Sequence, residues 1–346
     1  MSQTKAQLIA ADATFTISSD ASFNSVTVGK GANSVAGNTV LGEDALDAAV
    51  TGINNTAIGK ESLSANTSGN RNTAVGHKAL PVNTTGVENT AIGEAALFNN
   101  TSGNYNTAVG RVALLSNTTA SNNTAVGLSA LASNTTGASN VAVGANAGDA
   151  ITTGSLNVAV GLQALTVATT SGENTCVGGA AGRYIGSGQQ NTAIGRSAMH
   201  SSVSGSTGQM TGDSNVAVGY DSLFDLTTGS DNTGIGTRSL ANTTTGQRNT
   251  AVGRSALVNN TTANNNTAVG HNSLSANTTG ASNTALGAFA LDANTTSNNN
   301  TAVGFNAFGA NTSGSEGTAI GKSALETNTT GESNTAMGHI ALGNNT

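Results

Sequence analysis

His77, His271 and His339 each stand directly after a glycine in the same local context, while His200 lies in a less regular stretch. Imidazoles contributed by several identical chains could ring a metal ion on a shared axis. Within one chain these three are far apart, and the same column also holds Glu43, Lys60, Arg111, Leu128, Tyr220 and Phe305. Such variety reads as an open surface, not a ligand set. Cys176 is the one cysteine, which excludes an intrachain disulfide framework and any multi-cysteine metal site. Glycan-cleaving sites need paired carboxylates. Here the 18 acidic residues are scattered, as in Glu94, Glu173 and Glu332. Glu43 with Asp44, and Asp221 near Asp225, read as solvated surface acids. The Gly-rich turns contain no GxxxxGK[ST] phosphate cradle. The expectation is a protein that is not an enzyme and uses no cofactor or metal.

The elements that must carry these residues are repetitive. A glycine closes an NTAVG-like unit at Gly42 and every seventeen residues to Gly195, then from Gly219 every seventeen residues to Gly338. This makes eighteen units with one interval lengthened by seven residues, an insertion near 206–212. A weaker forerunner, NSVTVG, ends at Gly29. Four before the glycine is Asn in all units but one, where Gly317 stands; three before is Thr or Val; two before is almost always Ala; one before is aliphatic. Three after the glycine is Ala or Ser, and four after is Leu in fourteen units. The remainder is a polar turn of the NTTG or NTSG kind, whose Asn and Thr bond their own backbone.

Composition agrees with a thin, regular object. Of 346 residues only 9% are charged, against roughly 25% in ordinary domains. There is no Trp, one Pro and only 3% aromatic residues, while Gly reaches 45. A net charge of −6 with 36% hydrophobic residues fits neither a disordered chain nor a nucleic-acid binder, which needs clustered Lys and Arg. No stretch reaches the ~20 apolar residues of a membrane span. The first twenty residues have no sustained apolar segment and do not read as a secretory signal.

Short alternating segments bounded by Gly and Asn predict β-strands, and seventeen residues suffice for one coil of a solenoid. The fold class expected is all-β: a parallel β-solenoid, or β-roll, of about eighteen 17-residue coils covering residues 31–346, after an N-terminal attachment segment over 1–30. Coils stacked at the inter-strand spacing make a rod of about 85 Å. Asn55, Asn72, Asn89, Asn106 and Asn123 are expected to form an amide ladder from coil to coil. Alternation separates the aliphatic column from the Ala column. The expectation is that Val75, Leu80, Ile92, Leu97, Val109 and Leu114 form the core. Ala74, Ala91, Ala108 and Ala125 would then face outward, kept small by a neighbouring chain. The segment after the glycine is expected as a second short strand or a helical turn.

Units such as NTAVG, NTAIG and NVAVG (140–144, 157–161, 215–219) resemble the head repeats of trimeric autotransporter adhesins. The longer unit NTAVGxxALxxNTTGxx resembles repeats in bacteriophage tail-fibre proteins, and the opening MSQTKAQLI is similar to the starts of virion structural proteins. The match covers about 300 residues, but the repeat is longer than the adhesin coil, and no heptad stalk, membrane anchor or chaperone domain accompanies it. The resemblance implies a side-by-side homotrimer acting as the rigid, protease-resistant shaft of a phage tail fibre in the virion. It would be joined to the tail or an adaptor protein through its N-terminus and hold a receptor-binding tip that lies outside this sequence. The alternative is a bacterial cell-surface adhesin whose repeat face binds host or matrix. A more remote one is an ice-binding solenoid, which requires the Thr column to face outward.

Overall fold

The computed structural model describes residues 20–201 and 209–344. The expected attachment segment therefore lies mostly outside the described residues, as does most of the insertion. At the N-terminal end, β1 (Ala21–Phe23) pairs antiparallel with β2 (Val26–Gly29), and β2 pairs antiparallel with β3 (Thr39–Gly42). The forerunner NSVTVG is thus not a first coil. It runs against the first coil and covers the outer edge of β3, leaving that edge less open to pairing.

From β3 onward the architecture is a parallel β-solenoid. Seventeen further strands, three residues each, run from Thr56–Ile58 to Thr335–Met337, and each pairs in parallel with its predecessor. Register is column on column: Thr56 opposes Thr73, Ala57 opposes Ala74, and Ile58 opposes Val75. The long interval keeps it too, since Thr192 opposes Val216. Ser201 N–H still donates to the Phe224 carbonyl of the next coil, and Met210 N–H to that of Tyr184. The seven extra residues therefore fall between Ser201 and Gln209.

After each strand the chain turns without forming a second strand or a helical turn. In the coil of Gly76, Lys78 and Leu80 take φ of 53° and 52°, and the corresponding residues of almost every coil do the same. Alternating left-handed residues break both regular patterns, at a cost of roughly 1–2 kcal/mol each. The turns persist because every coil holds its neighbours: Lys78 N–H donates back to the Lys60 carbonyl, and Leu80 N–H forward to that of Ala96. Gly76 itself has φ 136°, and a Cβ there would lie 2.7 Å from the Gly93 carbonyl oxygen. Glycine is required wherever stacked backbones approach this closely.

The core corrects the expected orientation of the strands. Ala74, Ala91, Ala108 and Ala125 are fully buried inside their own chain, together with Leu80, Leu97 and Leu114. Val75 and Val109 are half-exposed and Ile92 is 39% exposed, on the outer face. The Ala column is therefore not an outward packing surface, and the Val/Ile column is not core. The reason is cross-section. A seventeen-residue coil encloses a lumen filled by Leu from the turn, Asn from the corners and mostly methyl groups from the strand, with Val40 and Cys176 the larger exceptions.

Candidate functional site: the interior ladders and the outer strand face

Three polar ladders run along the rod, the first through nearly every coil and the other two in separate stretches. The expected one is present: Asn55, Asn72, Asn89, Asn106 and Asn123 are fully buried. Asn55 Oδ1 accepts from the Asn72 backbone N–H at 2.9 Å, and its Nδ2 donates to the Gly69 carbonyl at 2.9 Å. A second ladder comes from the Asn of NTTG. Asn83 Nδ2 donates to Asn66 Oδ1, Asn100 to Asn83, and Asn117 to Asn100, at 3.0, 3.0 and 2.8 Å. Read as local turn chemistry, this column hides its role; its signal was the recurrence of Asn in long runs, 66 to 134 and 260 to 328, where only one polar turn residue was needed. The third is a hydroxyl ladder, in which Thr84 Oγ1 donates to the Thr101 carbonyl and Thr101 to that of Thr118. The two Asn ladders are sealed in the narrow lumen, where polar groups need such partners, whereas the hydroxyl ladder lies toward the surface.

Departures from the repeat are compensated inside the lumen. Where Leu gives way to Gly148 or Gly182, the second Asn gives way to Ile151 or Ile185, whose side chains fill the vacated space. Gly182 also clears room for the Cys176 sulfur. Where Ala gives way to Gly234, Ser222 and Ser239 come together, with hydroxyls 2.9 Å apart and Ser222 donating to the Gly234 carbonyl. Ile151 also ends the upper half of the second Asn ladder, so Asn134 Oδ1 is left without a partner. Burial pushes the Cys176 thiol up to about 12, so it is a neutral, inert group.

The outer strand face carries two parallel files. Thr or Val three before the glycine is half-exposed, as is the aliphatic residue one before it. Val143, Ile194, Ile235 and Leu286 are 37–48% exposed, and Met337 reaches 73%. Beside this face, ion pairs link adjacent coils: Lys60 with Glu43, Lys78 with Glu61, Arg111 with Glu94, and Arg71 with Glu88.

His77, His271 and His339 are exposed on the outer side of the turn. Among the described residues, no three His, Cys, Asp or Glu are grouped as metal ligands, and no helix is long and apolar enough to cross a membrane. His200 instead stacks on Phe224, with centroids 5.2 Å apart and planes at 9°, and Tyr184 meets its other side edge-on. Burial, and then the nearby Arg183, hold the imidazole below its ordinary range. This aromatic grouping escaped sequence reading because its members sit in three different coils, at intervals of 16 and 24 residues. With this geometry in view, no family model, curated protein or solved structure matches the chain.

Proposed function

We propose that the chain is a structural fibre shaft, most specifically the shaft of a phage tail fibre, working as a stiff spacer in host attachment. The observation that carries this reading is the unbroken in-register ladder from Thr39 to Met337. Length and stiffness are what such a ladder produces. Its interior is consumed by packing and amide bonding, and the resemblance of the repeats points the same way. The partner assigned is the chain itself, in a homotrimer. The file of half-exposed Val, Ile and Leu along one face supports side-by-side association, because a continuous apolar stripe of this length matches another copy of the same stripe. Adhesion to a host receptor belongs, in this reading, to a tip outside the sequence. Sedimentation should give three times the 33.7 kDa chain mass. Electron microscopy should show rods about 85 Å long, and antibodies to the chain should label phage tails. Monomeric particles, or virions that stay unlabelled, would count against it.

One observation favours a second reading. The Thr file lies half-exposed on the outer strand face, one residue per coil with Val at 141, 158 and 216, and an ice-binding solenoid requires an outward Thr file. Thermal hysteresis measured on the purified chain separates the two, since a shaft shows an ordinary freezing curve.

A further inference from the structure

The chain has three Tyr and seven Phe, and the lumen is filled by Ala, Leu and Asn. Tyr184, Tyr220 and Phe224 nevertheless gather over three consecutive coils, just where the register interval lengthens. Tyr184, His200 and Phe224 form one column along the rod, with Arg183 over the Tyr184 ring at 5.3 Å. The next position in the file of His200 and Phe224 is Ala241. A methyl group cannot cover a ring, so the stack stops with the far face of Phe224 open. There a groove of about 440 Å³ is lined by Tyr220, Asp221, Phe224, Asp225, Arg238 and Asn242.

We propose that this groove is a glycan-binding site that takes a pyranoside. An aromatic floor with a second ring at the side offers packing for the C–H face of a sugar. Carboxylates, an amide and a guanidinium around the rim offer acceptors and donors for its hydroxyls. Asp225 Oδ1 is a buried oxygen without a hydrogen-bond partner, and the Asp225 backbone N–H is committed to the Ala241 carbonyl. Tyr220 is 47% exposed and stands beside the Arg196 guanidinium, 6.0 Å from its centroid. Two carboxylates against one rim guanidinium oppose a phosphate and favour an uncharged polyol. The site goes beyond the shaft reading, since it puts a receptor contact on the rod itself.

The test uses the full chain and a defined panel: methyl glycosides of glucose, galactose, mannose and N-acetylglucosamine, with a printed array of oligosaccharides. Saturation-transfer NMR should show millimolar binding of at least one panel member. Tyr220→Ala should weaken it at least tenfold. Ala241→Phe, which continues the stack and fills the groove, should abolish it while circular dichroism and the melting temperature stay close to those of the parent. No transfer to any panel member, or binding unchanged in both variants, overturns the site. Assembly mass, read separately by sedimentation, reports on the shaft reading and is independent of either result.

Discussion

The ring of Phe308 occupies the space that an asparagine at position 317 would need. A Cβ built on Gly317 collides with the ring, while Gly317 N–H keeps the ladder bond to Asn300 Oδ1 at 2.9 Å. The one break in the Asn column and the one Phe in the Leu column are a single event. Gly317→Asn alone should destabilise its coils by about 1–3 kcal/mol through overpacking. Phe308→Leu alone should leave a cavity, and the double variant should recover most of both losses. Native-state hydrogen exchange of the amides around Thr301 and Thr318 measures each, and additive effects would show that the two sites are not coupled.

Asn100 is bonded on both sides of its ladder, to Asn83 and from Asn117, whereas Asn134 has a ladder partner on one side only, Asn117, and its Oδ1 accepts nothing. Asn100→Ala strands two buried partners and should cost roughly 2–4 kcal/mol. Asn134→Ala should cost visibly less. Urea unfolding midpoints of the two variants compare them directly, and equal losses would refute the ladder account.

The inside-out strand gives a paired prediction. Ala108→Val pushes bulk into a full lumen and should destabilise the rod by about 1–3 kcal/mol. Val109→Lys changes a half-exposed residue and should leave the melting temperature within a few degrees. Repeated at Val75, Ile92 and Val109 together, it should instead shift the sedimenting species to the single-chain mass.

Cys176 supplies a pH signature. Its thiol is pushed up to about 12 by burial, from an ordinary value of 9.0. The folded state therefore holds the proton more tightly than the unfolded chain. The resulting stability is complete below pH 9 and is lost as pH rises from about 9 to about 12. Cys176→Ala should flatten that part of the curve relative to the parent. Thiol reagents should react with Cys176 only on unfolding, and labelling of the native rod at pH 8 would contradict its burial.

Much of the fold was legible in the residues alone. The seventeen-residue period, the parallel in-register stacking and the first Asn ladder follow from recurrence, because identical columns at a fixed interval can satisfy buried amides only by stacking. The insertion was legible as a change of interval. The second Asn ladder was harder to see, because Asn in NTTG has a sufficient local explanation. The groove between Tyr220 and Asn242 was not legible: its residues come from two coils, and only stacking reveals that Ala241 ends the file begun by His200 and Phe224.

Alternation along Thr-Ala-Val determined that Ala and Val point in opposite directions, and nothing in that pattern says which of them faces in. The tertiary structure decided it through the turn that follows. Left-handed backbone at Lys78 and Leu80, announced by glycine only at Gly148 and Gly182 of the Leu column, places Leu80 in the core with Ala74. Closing the coil in that sense leaves little room beside the Leu, so apart from Val40 of the first coil the strand encloses small residues and the Val/Ile column is left outside.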